Sequence, residues 1–365
     1  MTAIPVAAPG RWFEANRELV EDTISRVMES GQYILGPAVE TFERRFAEFC
    51  GSSHAVAVAS GTDALTLALL GLGVTEGEVI TGAHTATATL AAIERTGATP
   101  VLADIDPISR CLCPASVERL HGKQTRAIVA VHIYGHPADM PRLAELAGRW
   151  GVPLVEDCSQ AHGASIGGRH VGGHGIAGAF SFYPTKNIGA MGDAGAIVTN
   201  DDDLAADLRA LRQYGWNAQR ESETSGLNSR MDEIQAAILL LKLPQFPRQL
   251  RRRRAIANRY LSAIEDSPEV DFPGTLPGHA HAFHLFVVES DTRDELAASL
   301  GSCGVATARH YPSPVHRQPA YRNLARDGLA ETERLYRRML TIPLYPELKD
   351  EEIDIVCDAL RRPAR

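Results

Sequence analysis

Three separated stretches of the sequence carry residues that could act on one small molecule. The stretch AFSFYPTKNIGAMGDAGAIVTN (179–200) places Lys186 after an apolar run, and a lysine amine can form a Schiff base with an aldehyde. VPLVEDCSQAHGA (152–164) places Asp157 at the carboxyl end of a predicted strand, where open α/β sheets bind ligands. ASGTDAL (59–65) joins a predicted strand to a helix, and the free N–H groups at a helix start bind phosphate.

Taken singly, each feature also has an ordinary structural explanation. Lys186 could be a surface lysine, Asp157 could cap the next helix, and residues 59–65 could start a helix that binds nothing. The set favours chemistry because all three would lie at strand ends of one sheet, each in a different connection. An anion pocket, an acid for a ring nitrogen and an amine for an aldehyde carbon are what pyridoxal 5'-phosphate requires. The sequence therefore predicts a site for this coenzyme.

Alternating patterns in the first two-thirds of the chain predict the scaffold that positions these residues. PAVETFERRFAEFCG (37–51) has helical periodicity, and AVAVAS (55–60) is typical of a short strand. Short apolar strands separated by helices predict a parallel α/β sheet covered on both faces. The other strand-like runs are EVITGAHT, TPVLADID, RAIVAVHIYG and VPLVED.

The pattern changes after residue 240, which predicts a second, smaller α+β domain. The proline-rich stretch LKLPQFPRQL marks a hinge around 243–250. The predicted elements beyond it are a long basic helix, a strand at 282–290, the helix TRDELAASLGSCG, a strand at 305–312, and helices near 330–340 and 350–362. We therefore predict a large domain over residues 1–245 and a small domain over residues 246–365.

Composition and charge argue against several classes of function. The 365 residues carry a formal net charge of −8, which does not favour nucleic acid or an anionic membrane as a partner. The basic run 248–260 has helical periodicity, so we expect its arginines to form a solvated helix face. No stretch reaches the roughly 18 apolar residues of a membrane helix, and no signal peptide is visible at the N-terminus. We therefore expect a cytoplasmic protein with no nucleic-acid or membrane partner.

Cysteine, histidine and glycine patterns point to no further cofactor. The six cysteines match no common zinc spacing, so free thiols in a reducing cytosol are the simplest interpretation. The thirteen histidines also form no recognised ligand spacing, and we predict no metal site. GHGIAG (173–178) matches G-x-G-x-x-G, but the strand-like AFSF follows it where a dinucleotide site needs a helix.

The motifs together resemble the DegT–StrS family of fold-type-I sugar aminotransferases almost from end to end. The stretches that carry the resemblance are GPAVETFERRFAEFCG, ASGTDALTLAL, GATPVLADID, VEDCSQAHGA, SFYPTKNIGAMGDAGAIVTND, NSRMDEIQAAIL and YPSPVH. The resemblance implies an aspartate-aminotransferase-like fold. In that fold a large domain holds a mostly parallel seven-stranded sheet flanked by helices, and a smaller α+β domain follows.

The resemblance also implies roles for individual residues. Lys186 would carry the coenzyme as a Schiff base and move protons, and Asp157 would pair with the ring nitrogen. Asn228 would reach the phosphate from the neighbouring subunit, which implies an active homodimer with shared sites. The other implied coenzyme contacts are Gln160 at the ring hydroxyl and Gly61, Thr62 and Ser181 at the phosphate. Candidate substrate contacts are Tyr33, Tyr183, Arg230, Tyr311 and His316.

One position departs from the family pattern. Many relatives place an aromatic side chain on the coenzyme ring, and the matching residue here is Ala86. Either another side chain such as His84 covers that face, or the ring packs on small groups.

The resemblance implies L-glutamate as amino donor and a nucleotide-linked keto-sugar as acceptor. FYPTKN followed by GAMGDAGA is most similar to enzymes that act at carbon 3 of a dTDP-3-keto-6-deoxyhexose. Relatives that act at carbon 4 more often carry GEGG where this chain has GDAG. The coenzyme would alternate between pyridoxal and pyridoxamine phosphate.

Other functions on the same fold remain open at this stage. The acceptor could instead be aminated at carbon 4 or be a keto-cyclitol. A regulatory or dehydratase-like member would not transaminate, but such dehydratases replace the lysine with histidine, and Lys186 is present. A lyase or desulfurase is another alternative, and no cysteine lies in an obvious reactive loop for a desulfurase.

Overall fold

A computed structural model describes residues 3–265, 267, 269–324 and 328–361. Its strands are β1 (His54–Val58), β2 (Glu78–Gly82), β3 (Thr99–Ala103), β4 (Thr125–Val131), β5 (Leu154–Asp157), β6 (Ser165–Ile166), β7 (Arg169–His170), β8 (Ala177–Ser181), β9 (Gly195–Thr199), β10 (His279–Ala280), β11 (Phe286–Glu289) and β12 (Met339–Ile342). Its α-helices are α1 (Pro9–Ala15), α2 (Arg17–Ser30), α3 (Pro37–Cys50), α4 (Gly61–Gly71), α5 (Thr87–Glu94), α6 (Pro114–Leu120), α7 (Met140–Trp150), α8 (Asp202–Leu211), α9 (Glu233–Lys242), α10 (Phe246–Glu265), α11 (Arg293–Ser302), α12 (Ala330–Arg338) and α13 (Asp350–Arg361). In the described part of the chain, no helix is both long and apolar enough to cross a membrane.

Seven strands form one sheet in the order β1-β9-β8-β5-β4-β2-β3. The strands from β8 to β3 in that order run parallel, whereas β9 lies antiparallel between β1 and β8. Neighbouring residues of β1 pack in different apolar cores. Ala57 packs in the core that contains Phe42 of α3, and Val56 packs in the core that contains Leu65 of α4. The mostly parallel sheet with helices on both faces is therefore confirmed.

The carboxyl ends of β5 and β8 lie side by side at one edge of this sheet. Their register pairs Asp157 with Ala179, so Ser181 lies just beyond the level of Asp157. β1 and β8 both run antiparallel to β9, so the carboxyl end of β1 lies at the same edge. The connections after β1, β5 and β8 thus bring residues 59–65, Asp157 and Lys186 to one place.

The C-terminal part of the chain builds a separate apolar core. That core joins Ile4 to residues between Ile256 and Leu360, around the antiparallel pair β11 and β12. Helix α10 begins at Phe246, where the small domain is predicted to start. Phe246 itself packs in the core of α3 and α9, and the boundary at 245–246 stays a prediction.

The predicted strand over 305–312 is wrong. The structure forms only single bridges in this segment, one of them between Ala308 and Thr341. Beyond that bridge the chain turns toward the large sheet, where the Gln160 amide donates a hydrogen bond of 2.9 Å to the Tyr311 hydroxyl. The segment therefore delivers a side chain to the sheet edge instead of extending a sheet. Strand β12, which follows a helix without a turn signal, was not predicted.

The expectation that the arginines of 248–260 form a solvated face is only partly right. Arg248 and Arg251 are exposed, but Arg253 is buried, with only 5% of its surface exposed. Arg253 precedes the buried Ile256 by three residues and therefore lies on the apolar face of α10.

A buried ion pair joins the two parts of the chain. The Arg110 guanidinium lies 3.1 Å from the carboxylate of Glu289 on β11 and donates to the Val287 carbonyl at 2.8 Å. Arg334 of α12 donates to the same carboxylate at 2.9 Å. Arg110 is buried and forms no other ion pair with the described residues, so its charge depends on Glu289 for compensation.

Replacing Glu289 with alanine should lower the free energy of unfolding by about 3–5 kcal/mol, because it leaves Arg110 buried without a counter-ion. Urea unfolding followed by circular dichroism measures the difference. Asp291→Ala is the matched control, since Asp291 is exposed and pairs with Arg338 at the surface; its cost should stay below about 1 kcal/mol. Equal losses in the two variants would contradict the assigned role of Glu289.

Candidate active site

The start of α4 forms an anion cradle at the edge of the sheet. The Ser60 hydroxyl caps this helix by accepting the Asp63 N–H at 3.1 Å. A Cβ on Gly61 would lie 2.5 Å from the Cβ of Ser181, and one on Gly195 would lie 2.2 Å from the Ser60 carbonyl oxygen. Only glycines allow β8 and β9 to approach the helix start this closely. The start of α4, whose first N–H groups lack partners within the helix, therefore packs directly against Ser181.

Asp157 is a buried carboxylate with a fixed orientation. Its Oδ2 accepts a hydrogen bond of 2.8 Å from the Thr89 hydroxyl, and its Oδ1 accepts the Ser159 N–H at 3.1 Å. The Thr89 hydroxyl also lies 2.7 Å from that of Thr85. These contacts hold the carboxylate toward the cavity in a single position.

Lys186 follows β8 in a tight turn. Its backbone N–H donates to the Tyr183 carbonyl at 2.8 Å, and a Cβ on Gly189 would lie 2.4 Å from the Pro184 carbonyl oxygen. Burial lowers the pKa of Lys186 to about 8, although the Asp157 carboxylate acts to raise it. The amine is therefore partly neutral near neutral pH, as a nucleophile or general base must be.

Gln160 links the end of β5 to Tyr311, which lies in the segment between α11 and β12. Its Oε1 accepts the Tyr134 N–H at 2.6 Å, and its Nε2 donates to the Tyr311 hydroxyl at 2.9 Å. Burial raises the pKa of Tyr311 to about 12, and the Asp157 charge adds to this rise. Tyr311 therefore stays protonated and can itself donate a hydrogen bond.

One cavity of about 280 Å³ gathers most of the predicted coenzyme contacts. Asp157 and Lys186 lie in its wall with the start of α4. The predicted residues that line it are Gly61, Thr62, Ala86, Asp157, Gln160, Ser181, Tyr183 and Lys186. An amine, an acid and an anion cradle thus meet around one space, which fits pyridoxal phosphate by the chemistry of its donor set.

The remaining predicted residues lie outside this cavity in a single chain. Tyr33 and Asn228 are exposed, and Arg230 is half-buried. The His316 ring lies 2.7 Å from the Glu333 carboxylate, and Tyr311 lines an adjoining cavity. Their roles stay predictions.

Small side chains take the place of a stacking aromatic group. Thr85, Ala86 and Ala88 line the cavity, whereas His84 does not. The His84 ring is buried elsewhere, with Nδ1 3.1 Å from the Tyr336 hydroxyl. Of the two alternatives, the structure favours a ring face packed on small groups.

Sequence reasoning missed three residues that support the site: Ser60, Thr89 and Ser159. Ser60 precedes the helix at the usual capping position, so its role was readable from the sequence. Thr89 lies in the first turn of α5 and Thr85 precedes the helix, but only the fold shows that the Thr89 hydroxyl meets Asp157.

A buried cluster behind Asp157 has a structural role. Potential ligand atoms of His132, Glu156 and Cys158 lie within 4.8 Å of one another. The Glu156 carboxylate already accepts a bond of 3.0 Å from His132 and backbone N–H groups, including that of Gly172 at 2.8 Å. Burial alone would raise the pKa of Glu156, but these donors lower it. Its oxygens therefore accept hydrogen bonds from the protein and anchor the loop before β8.

The lowered pKa of Lys186 predicts its labelling behaviour in coenzyme-free protein. Acetylation of Lys186, resolved by peptide mass spectrometry, should rise with a midpoint near pH 8 because burial disfavours the ammonium form. In Asp157→Asn the midpoint should move to lower pH, since the carboxylate that stabilises the ammonium is gone. A midpoint near the ordinary lysine value of 10.5 would show that the amine is not desolvated.

Comparison with known proteins places this geometry in a family. The model of the DegT/DnrJ/EryC1/StrS aminotransferase family matches residues 15–361. The dTDP-3-amino-3,4,6-trideoxy-alpha-D-glucose transaminase of Streptomyces venezuelae is 45% identical over 96% of this chain and 93% of its own length. The erythromycin biosynthesis sensory transduction protein EryC1 of Saccharopolyspora erythraea is 44% identical over 94% of this chain and 95% of its own length.

A solved structure agrees with the fold and with the coenzyme. DesV of S. venezuelae, crystallised with a ketimine intermediate, superposes with a TM-score of 0.96 at 44% identity, covering 99% of this chain and 98% of DesV. The sequence match and the donor set of the cavity lead to the same conclusion. The chain belongs to the DegT/DnrJ/EryC1/StrS aminotransferase family and is an aminotransferase whose coenzyme is pyridoxal 5'-phosphate.

Proposed function

We propose that the protein transfers the amino group of L-glutamate to carbon 3 of a dTDP-3-keto-6-deoxyhexose. The observation that carries the proposal is the cavity in which Lys186, Asp157 and the start of α4 meet. The name of the S. venezuelae relative, a transaminase of a dTDP-3-amino sugar, supports both the nucleotide and the carbon. The GAMGDAGA loop supports carbon 3 independently of that name.

The bound coenzyme supplies a ring that withdraws electrons from the carbon next to the transferred nitrogen. Asp157 keeps the ring nitrogen protonated, because a carboxylate held beside it favours the charged form. Thr89 and Ser159 hold that carboxylate in place. The first N–H groups of α4 and the Ser181 hydroxyl bind the phosphate.

Lys186 has two tasks in this arrangement. Its Nζ holds the coenzyme before the donor arrives, and afterwards it moves the proton of the donor α-carbon. Burial favours the neutral amine that the second task requires. The hydrogen bond between Gln160 and Tyr311 holds the Gln160 side chain in place, and Gln160 binds the ring hydroxyl.

We also infer that the active form is a homodimer with shared sites. Several large apolar side chains are exposed in the single chain, and exposed apolar surface commonly marks interfaces. Among the described residues they are Leu19, Met28, Tyr33, Ile34, Ile108, Tyr183, Met191 and Tyr214, of which Tyr183 lines the cavity. The exposed Asn228 is a second sign, since it lies outside the cavity of its own chain and is free to enter that of a partner. The six free thiols support a cytoplasmic location.

Incubation with glutamate and a panel of nucleotide keto-sugars tests the function. We expect mass spectrometry and product NMR to show a dTDP-3-amino-3,6-dideoxyhexose with the wild type and none of it with Lys186→Ala, which lacks the reacting amine. Amination at carbon 4, or of a keto-cyclitol, would refute the assigned acceptor. Full activity in Lys186→Ala would refute the mechanism. A wild-type protein that binds the coenzyme but transfers no amino group would favour a regulatory role like that named for EryC1.

Subunit mixing tests the shared site. Lys186→Ala and Asn228→Asp should each be nearly inactive alone, the second because it places a negative charge at the phosphate. In a mixed dimer the site with an intact Lys186 receives an intact Asn228, so an equimolar mixture should recover roughly a quarter of wild-type activity. No recovery, despite subunit exchange shown by mass spectrometry, would mean that both residues serve the same chain.

A further inference from the structure

A second cavity adjoins the coenzyme site. It has a volume of about 290 Å³, near the lower end of the roughly 300–1,000 Å³ range of small-molecule sites. It shares Gln160, Tyr183 and Lys186 with the coenzyme cavity, so a molecule in it would meet the reacting amine. Among the described residues, its lining includes the cations Lys186 and Arg253 but no aspartate or glutamate. The cavity is therefore suited to an anion.

Arg253 on α10 lines this cavity, and only one nitrogen of its guanidinium forms hydrogen bonds with the described chain. The hydrogen bonds that it makes within the described chain all leave from Nη1, to the carbonyl oxygens of Phe283 and Leu344 at 3.1 Å and of His284 at 3.5 Å. Its Nε is buried and has no hydrogen-bond partner in the described chain. Nε and Nη2 together form the edge of the guanidinium that can bind a carboxylate with two parallel bonds.

The neighbouring Arg254 differs from Arg253 in its hydrogen bonds and has a structural role. Arg254 donates from Nε to the His281 carbonyl at 3.1 Å and from Nη2 to the Gly163 carbonyl at 3.2 Å. The corresponding edge of Arg253 has no such bonds, and no carboxylate of the described residues forms an ion pair with it. Burial lowers the pKa of Arg253 to about 10, and the charge of Glu347, which forms no ion pair with it, acts in the opposite direction without cancelling this effect.

We propose that Arg253 binds a carboxylate of the amino donor through Nε and Nη2 and so holds the donor next to Lys186. This inference rests on the proposed function, in which the donor is the dicarboxylic acid L-glutamate. The bonds from Nη1 to three carbonyls fix the guanidinium in advance, so little side-chain freedom is lost when the donor binds. The small volume of the cavity admits a dicarboxylate and leaves the much larger nucleotide outside it.

Calorimetric binding of glutarate, a dicarboxylate without an amine, tests the assignment on the coenzyme-loaded enzyme. Arg253→Lys keeps a donor for the carbonyls but loses the two-bond edge, so the glutarate Kd should rise roughly ten- to a hundred-fold. In stopped-flow measurements the Kd for glutamate should rise similarly, whereas the reaction of the pyridoxamine form with keto-sugar should keep its rate. Arg254→Lys is the matched control and should bind glutarate like the wild type.

A second pair of variants keeps the test valid if Arg253→Lys does not fold. Ala7 is exposed and lines the same cavity, so Ala7→Asp should weaken glutarate binding by placing a negative charge there, and Ala7→Asn should not. The proposal is overturned if the wild type does not bind glutarate, if Arg253→Lys binds it equally well, or if that variant loses dTDP affinity instead. Glutarate binding that depends on Arg253 in an enzyme that aminates no keto-sugar would refute the proposed function alone.

Discussion

The adjacency of β5 and β8 at their carboxyl ends is the constraint on which the site depends. The pairing of Asp157 with Ala179 fixes the level of the acid relative to Ser181 and the turn that holds Lys186. A shift of one residue in this register would turn Asp157 to the other face of the sheet and remove it from the cavity. The buried Glu156, bonded to His132 and to the loop before β8, secures the register from the opposite face.

Close packing of glycines makes the second half of the site possible. Gly61 and Gly195 let the start of α4 approach the ends of β8 and β9 more closely than any side chain would allow. The predicted phosphate cradle thus follows from backbone packing. Near Ala86 the cavity is lined by small groups, and the nearby His84 lies beside the Tyr336 hydroxyl. Burial then sets the chemistry, because it favours the neutral form of Lys186 while Asp157 moderates the effect.

The sequence predicted those parts of the site that depend on strand ends and missed those that depend on how elements meet. Lys186, Asp157 and the helix start at Gly61 follow buried strands, and parallel strands place such positions at one edge. Thr89 and Tyr311 reach the site through tertiary contacts that no local pattern encodes. The burial of Arg253 was readable from its spacing to Ile256 on α10, but the run of arginines around it suggested a solvated face. The segment 305–312 has strand-like residues, yet it forms only single bridges, and Tyr311 is hydrogen-bonded to Gln160 instead of lying in a strand.

In the proposed mechanism, the buried carboxylate of Asp157 keeps the coenzyme ring nitrogen protonated. The most direct measurement is the ¹⁵N chemical shift of that nitrogen in enzyme loaded with ¹⁵N-labelled pyridoxal phosphate. We expect a protonated nitrogen in the wild type across neutral pH, and an unprotonated one in Asp157→Asn with the coenzyme still bound. An unprotonated nitrogen in the wild type, or the same shift in both proteins, would contradict it.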